Sequence, residues 1–146
     1  MVREREYSPN QLKNTIEKGS IGVIANGPNT AEMCDFLGHV GFDAAFVDFE
    51  HGKVSWSELP DITRACELWG MSSVVRVNRL DEAQILRTLD QGASAVMVPH
   101  IITLEDARLA ASACKYPPTG VRGVAGSRRA YGVDDYFVKA NEEVQC

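Results

Sequence analysis

The chain has 146 residues and a formal net charge of −5, with 15 Lys and Arg side chains against 20 Asp and Glu. This acidic balance argues against a nucleic-acid partner, which would need a clustered basic surface. No apolar run approaches the roughly 18–20 residues of a membrane helix, and residues 1–7 lack the apolar segment of a secretory signal, so we expect no membrane association.

Apolar, β-branched segments alternate with helical patterns along the chain. Each strand candidate is almost continuously hydrophobic, as expected for parallel strands that are buried on both faces. In chain order, the sequence predicts a helix over 8–19, a strand over 21–25, a helix over 29–41, a strand over 44–49, a helix over 55–70, a strand over 73–77, a helix over 81–92, a strand over 95–98, a helix over 103–116, a loop rich in Gly and Arg over 119–132, a helix over 134–141 and the start of a strand at 144–146.

The predicted helices begin at side chains that can cap a first turn. Ser8 with Pro9 and Gln11 provides an N-cap, a first-turn proline and a capping-box partner. Asp81 and Thr103 open later helices in the same way. The second helix carries a regular apolar stripe at helical spacing, formed by Met33, Phe36, Leu37 and Val40.

This order, a helix followed by four strand–helix units, predicts an α/β fold with a parallel sheet. A Rossmann fold is disfavoured because Asn-Gly-Pro-Asn, rather than G-x-G-x-x-G, follows the first strand. An open doubly wound sheet and a (β/α)8 TIM-type barrel remain. The strand-like start at 144–146 favours the barrel, which takes about 250 residues. We therefore expect residues 1–146 to form one partial TIM-barrel domain, its N-terminal half, with the C-terminal half absent.

Two carboxylates and a histidine crowd the end of the second predicted strand, at Asp48, Glu50 and His51. Active sites of parallel α/β folds form at the carboxyl ends of the strands, and alternation places Asp48 and Glu50 on one side. A carboxylate beside an imidazole fixes its tautomer and raises its basicity, so the group suits proton transfer. The alternative is a carboxylate that accepts backbone N–H groups, with His51 on the surface.

The next two strands add a guanidinium and a second imidazole at their ends. Arg76 lies in an apolar strand, where a charge is costly unless it is paired. Its planar fork suits a carboxylate or a keto-acid oxygen. An internal ion pair with Asp48 or Glu50 is the alternative, and one Arg can do both. His100 follows the fourth strand and is expected on the same face, as a substrate-facing, supporting or inert residue.

The remaining polar and thiol groups are less specific. Three basic side chains of the loop over 119–132 suit an anion or another subunit, and a solvated loop is the alternative: Arg122, Arg128 and Arg129. The four cysteines include no C-x-x-C pair: Cys34, Cys66, Cys114 and Cys146. We therefore expect reduced, buried thiols in a cytoplasmic protein, and no zinc site.

Four segments together resemble the HpcH/HpaI aldolase/citrate lyase family. They are Phe-Val-Asp-Phe-Glu-His over 46–51, Val-Val-Arg-Val over 74–77, Gly-Ala-Ser-Ala-Val-Met-Val-Pro over 92–99 and Tyr-Pro-Pro-Thr-Gly-Val-Arg-Gly over 116–123. The resemblance implies a (β/α)8 barrel and a class II pyruvate aldolase that cleaves 4-hydroxy-2-oxo acids to pyruvate and an aldehyde. By position it implies that His51 is the base, acting through a metal-bound water. Asp48 would then be its orienting partner, and Arg76 would hold the pyruvyl oxygens and stabilise the enolate, with Glu50 also at the substrate.

The resemblance also implies a divalent metal, Mg or Mn, which acts as a Lewis acid on the 2-oxo group. Its ligands, a Glu and an Asp, are expected after the fifth and sixth strands, in the missing half, so no metal ligand is assigned to this chain. The chain alone is therefore expected to be inactive towards its small oxo-acid substrate. Exposed strand edges predict a homo-oligomer. The alternative is a non-catalytic half-barrel scaffold or binding module that self-associates.

Overall fold

The computed structural model describes residues 3–146, so the first two residues of the predicted domain lie outside the described range. Helices and strands follow one another in the predicted order. The elements are α1 (Gln11–Glu17), β1 (Ile24–Asn26), α2 (Ala31–His39), β2 (Ala44–Asp48), α3 (Leu59–Leu68), β3 (Ser72–Arg76), α4 (Glu82–Asp90), β4 (Ala95–Met97), α5 (Leu104–Ala113), a short 3-10 helix (Arg128–Ala130) and α6 (Tyr136–Glu143). Across the described range, no helix has both the length and the apolar character needed to span a membrane.

The four strands form one parallel sheet in the order β1-β2-β3-β4. Each strand pairs with its neighbour in sequence, as in a (β/α)8 barrel, whereas a doubly wound sheet reverses direction at a switch point. A fifth strand begins beyond β4, where Gln145 pairs in parallel with Ala95. The strand predicted to start at 144–146 is thus confirmed in its first residues, and the sheet is an arc of the barrel type.

The main core lies between the outer side of this arc and the helices. Its buried side chains come from alternate positions of the strands and from the apolar faces of α3 and α4, including Val47, Val75, Val96, Leu59, Ile62, Ile85 and Leu89. Burial of each large aliphatic side chain contributes roughly 1.5–3 kcal/mol. A smaller cluster on the inner side joins Ala44, Val74 and Ala95 to Leu12 of α1. Helix α1 therefore covers the inner side near the amino ends of the strands.

Asn10 anchors α1 to the amino ends of the strands. Its side-chain oxygen accepts the N–H of Lys13 at 3.1 Å and the hydroxyl of Ser72 at 2.7 Å, and its amide donates to the carbonyl of Ser94 at 3.1 Å. The prediction that Ser8 is the N-cap is wrong. Asn10 takes that position because its buried side-chain amide forms hydrogen bonds with the first turn of α1 and with residues at the starts of β3 and β4.

The loop rich in Gly and Arg is tied to the body of the protein. Arg122 donates to Asp90 at 2.9 Å, and its side chain is only 1% exposed. Arg128 forms an ion pair with Glu67, and Arg129 donates to a backbone carbonyl of the N-terminal segment at 2.8 Å. These contacts use the three guanidinium groups internally, so the loop braces α3, α4 and the segment before α1.

The apolar stripe of α2 is only partly covered. Met33, Phe36 and Val40 are 47%, 60% and 50% exposed, whereas Leu37 packs against the core and Cys34 is fully buried. The periodicity predicted the helix correctly. Most of the stripe stays exposed because no layer of the described residues lies over that face of α2.

The cysteines divide into a buried and an exposed class. Cys34, Cys66 and Cys114 are buried free thiols, and Cys146 is an exposed one. The prediction of buried reduced thiols is therefore confirmed at three positions. The cytoplasmic location stays a prediction.

Candidate active site

The predicted site residues lie along one rim of the arc, where β2, β3 and β4 end. Asp48 is the last residue of β2 and is in register with Arg76, the last residue of β3. Arg76 is in turn in register with Met97 at the end of β4. Parallel pairing brings the carboxyl ends of the strands together, so residues distant in sequence meet at this rim.

Asp48 and Arg76 form a bidentate ion pair. The Nε and Nη2 atoms of Arg76 donate to Oδ1 and Oδ2 of Asp48 at 2.9 and 2.7 Å. This geometry matches the planar fork of a guanidinium to a carboxylate. The guanidinium is the main cause that lowers the pKa of Asp48 from its ordinary value of 3.8 to about 2, and two backbone N–H groups act in the same direction. Asp48 therefore carries a negative charge at neutral pH.

Glu50 connects the guanidinium to both histidines. Its Oε2 lies 3.2 Å from Nε of Arg76 and 3.9 Å from Nε2 of His51. Its Oε1 lies 2.9 Å from Nε2 of His100. The carboxylate side chain is only 12% exposed, although it lies at the rim. Arg76 and His51, which the sequence predicted to converge, are thus brought together at one oxygen atom of Glu50.

The turn after β2 places His51 at the mouth of the site. Oδ1 of Asp48 accepts the backbone N–H groups of Glu50 and His51 at 2.9 and 3.3 Å. A Cβ atom added to Gly52 would come 2.1 Å from the carbonyl oxygen of Asp48, so the turn needs glycine there. Asp48 thus contacts the backbone of His51. The carboxylate that lies within 4 Å of the His51 imidazole is that of Glu50. The role of Asp48 as orienting partner stays a prediction.

His100 is the site residue that the sequence left most open. It follows β4 with a backbone φ of 58°, in the left-handed region that side chains other than glycine rarely adopt. The position directly after the strand was a signal for the rim, and its contact with Glu50 places it in the cluster. What the sequence did not show was that Glu50 would contact side chains from the ends of both β3 and β4.

Aromatic side chains support the rim from inside and from the loop after β2. The ring of Phe46 lies 5.6 Å from the guanidinium carbon of Arg76. In the loop, Phe49 stacks on Trp56 with ring centroids 4.4 Å apart, and Arg87 of α4 covers the Trp56 ring at 4.6 Å. These contacts fix the loop that carries Glu50 and His51.

The described residues do not form a binding site for a divalent metal. Within residues 3–146, no cluster of three or more His, Cys, Asp or Glu side chains has the arrangement to hold a metal ion. Asp48 and Glu50, the two carboxylates at the rim, both contact the guanidinium of Arg76. That group already supplies the positive charge between them, so they do not fit a cation site.

The rim can instead bind an anion and exchange a proton. Hydrogen bonds to Asp48 and the contact with Glu50 occupy Nε and Nη2 of Arg76, and the side chain remains 25% exposed. The third guanidinium nitrogen, Nη1, has no protein partner within residues 3–146 and is available to an oxygen of a ligand. The imidazole of His51 is 74% exposed beside it, as a base that must reach a substrate would be.

Comparison with known proteins identifies the family of the chain. A family model, HpcH/HpaI aldolase/citrate lyase, matches residues 22–145. The 2-dehydro-3,6-dideoxy-6-sulfogluconate aldolase of Pseudomonas putida is 41% identical over 120 residues, which is 80% of this chain and 47% of that protein. The hydroxypyruvate/pyruvate aldolase of Sagittula stellata is 36% identical over 118 residues, with 79% and 47% covered. The chain spans about half the length of these curated relatives.

Solved structures give the same result for the fold. An HpcH/HpaI aldolase from Desulfitobacterium hafniense DCB-2 superposes with a TM-score of 0.80 at 28% identity, covering 91% of this chain and 54% of that one. An HpcH/HpaI aldolase/citrate lyase family protein from Burkholderia cenocepacia J2315 superposes with a TM-score of 0.80 at 31% identity, covering 92% and 57%. The arc therefore corresponds to about half of a TIM-barrel aldolase. Its fold and its sequence agree that the chain belongs to the HpcH/HpaI aldolase/citrate lyase family.

Proposed function

We propose that this chain provides the base and oxyanion-binding part of an aldolase active site. The reaction is cleavage of a 4-hydroxy-2-oxo acid to pyruvate and an aldehyde, and the reverse condensation. The observation that carries the proposal is the guanidinium of Arg76, held rigidly by Asp48 and Glu50 with one nitrogen left for a ligand and an exposed imidazole nearby. The names of the curated relatives support this class of reaction.

In the proposed cleavage, His51 is the base that takes up the proton of the substrate 4-hydroxyl group through a bound water. The bond between C3 and C4 breaks and the aldehyde leaves. The electron pair of the broken bond remains on C3 and forms the enolate of pyruvate. Arg76 donates through Nη1 to the pyruvyl oxygens, where negative charge develops, and a fixed donor there stabilises the transition state. The proton taken up by His51 then passes to C3, which gives pyruvate and restores the base. Asp48 keeps the guanidinium in place, and Glu50 lines the substrate side of the rim.

Several further inferences belong to the same proposal. The divalent ion, Mg or Mn, would polarise the 2-oxo group, with ligands outside the described residues. The chain represents the N-terminal half of a barrel domain and is inactive alone. We also infer a homo-oligomer, because no other described strand pairs with the outer edge of β1 and its backbone groups can accept a further chain. A cytoplasmic location is part of the same proposal.

Reconstitution tests the proposal directly. The chain is mixed with the C-terminal half of a related aldolase and Mn²⁺, and pyruvate release from a 4-hydroxy-2-oxo acid is followed by a coupled dehydrogenase assay. Turnover is expected only in the mixture and is expected to fall by about 10²-fold or more in Arg76→Ala, as for loss of an oxyanion donor. Arg79→Ala is the matched control, because Arg79 is 70% exposed and pairs with Asp81 at the surface. Equal loss in both variants, or turnover by the chain alone, would contradict the proposal.

A second candidate function is a self-associating half-barrel scaffold. The observation in its favour is apolar surface along the two edges of the arc, where Val23 and Ile24 are 52% and 44% exposed and Met97 is 45% exposed. Sedimentation velocity at several concentrations separates the two candidates. A chain that associates with itself but gives no turnover in the reconstituted mixture favours the scaffold, whereas turnover in that mixture favours the aldolase.

A further inference from the structure

The contact between His100 and Glu50 is maintained on a strained backbone. His100 has a φ of 58°, a conformation that costs free energy for a residue with a side chain. Such strain persists where the surroundings enforce it and is concentrated at functional sites. The imidazole is itself 76% exposed, so burial of the ring does not explain the conformation. The polar contact that the conformation provides is the 2.9 Å approach of Nε2 to Oε1 of Glu50.

That contact divides the two oxygen atoms of Glu50 between different partners. His100 takes Oε1, which leaves Oε2 directed towards Nε of Arg76 at 3.2 Å and towards His51 at 3.9 Å. The carboxylate could rotate about its last side-chain bond if Oε1 were free, since such terminal torsions are broad. A donor from the end of β4 therefore fixes a carboxylate from β2 against a guanidinium from β3.

We propose that His100 is a positioning residue, which holds the Glu50 carboxylate so that it orients both the imidazole of His51 and the guanidinium of Arg76. The catalytic purpose of this orientation rests on the proposed function, but the coupling of His100 to His51 and Arg76 through Glu50 does not. The imidazole must donate from Nε2 to Oε1, so the neutral ring carries its proton on Nε2, or the ring is protonated. The proposal differs from a purely stabilising role, because the imidazole of the pair is 76% exposed and an ion pair with an exposed partner contributes little to stability.

The test separates the hydrogen bond from the backbone strain. His100→Gly removes the imidazole but adopts a positive φ without cost, so the variant is expected to fold with an unchanged or slightly raised melting temperature. Its effect is measured by NMR on the isotope-labelled chain at constant pH. We expect the ring signals of His51 and the Nε–H signal of Arg76 to shift, while the hydrogen bond from Nε of Arg76 to Asp48 remains.

Glu50→Gln and His39→Gln complete the design. Glu50→Gln keeps the shape of the side chain and removes its charge, so it should give the same changes, and the double variant should add nothing beyond either single one. His39 lies beside Trp69, with ring centroids 6.0 Å apart, and its replacement should leave the signals of His51 and Arg76 unchanged. Unaltered His51 and Arg76 signals in a folded His100→Gly variant would overturn the proposal, as would fully additive effects of the two substitutions.

The reconstituted mixture distinguishes this inference from the proposed function. There His100→Gly should lower kcat and leave KM nearly unchanged, because the base and the donor that it helps to orient act mainly where charge develops in the transition state. If no mixture turns over while the signals still shift, the proposed function fails and the positioning role stands. If turnover occurs and neither kcat nor the signals respond to His100→Gly, the positioning role fails and the proposed function stands.

Discussion

Replacing Asp48 by Asn removes the charge that fixes Arg76 while keeping the size of the side chain. The depression of the Asp48 pKa from 3.8 to about 2 corresponds to about 2 kcal/mol of preferential stabilisation of the charged form at neutral pH. Solvent reaches the pair, since the Arg76 and Asp48 side chains are 25% and 14% exposed, so we reduce this figure to about 1–2 kcal/mol. For a chain of this size the melting temperature should fall by roughly 3–6 °C.

The pH dependence follows from the direction of the shift. The pKa of Asp48 is lower in the folded than in the unfolded chain, so the carboxylate stabilises the fold at pH values above about 4. This contribution decreases as the pH falls from about 4 and is lost below about 2, when the group is protonated in both states. The free-energy difference between the natural chain and Asp48→Asn should therefore be largest at neutral pH and approach zero near pH 2.

Urea unfolding followed by circular dichroism between pH 7 and pH 2 measures both quantities. Asp61→Asn is the matched control, because Asp61 pairs with Arg64 at 2.6 Å on the surface with both side chains mostly exposed. That control should change the unfolding free energy by less than about 0.5 kcal/mol. A difference for Asp48→Asn that is absent at pH 7, or that stays constant down to pH 2, would refute the assignment of Asp48 as a charged, structurally fixed partner of Arg76.

Two further substitutions test the packing that supports the rim. Gly52→Ala should destabilise the chain by about 1–3 kcal/mol through overpacking against Asp48. Gly126→Ala is the control, because open space surrounds Gly126, and it should not destabilise the chain. Equal melting temperatures of the two variants would show that the turn after β2 relaxes freely. Arg122→Met should cost about 2–3 kcal/mol, less than a fully buried pair because Asp90 is 24% exposed. Adding Asp90→Asn should recover part of that loss in chemical unfolding, and full additivity would mean that the pair is not coupled.

The fold was largely predictable because its local signals agree with its tertiary structure. Continuous apolar runs predicted β2 and β3 within two residues, and Asp81 and Thr103 are the N-caps of α4 and α5 as expected. The first helix was misplaced at its start because the capping residue is chosen by tertiary contacts of Asn10, which a local pattern does not contain. The stripe of α2 predicted a helix but not how far each of its side chains would be covered.

The site was predictable in its members and only partly in its contacts. Parallel strands end at a common rim, so Asp48, Glu50 and Arg76 were expected to meet, and they do. The division of contacts was not visible in the sequence, because it depends on register and on the backbone conformation of His100. The roles of these residues and of His51 in catalysis stay predictions.

The contacts of the N-terminal segment set an order on assembly during synthesis. Strand pairing involves only sequence neighbours, so β1 to β4 can pair progressively as the chain emerges. Arg129 and Glu143, which hold the carbonyl of Ser8 and the N–H of Asn10, are separated from these partners by 121 and 133 positions. The segment before α1 is therefore secured only after Glu143 has been synthesised, much later than the pairing of β1 with β2.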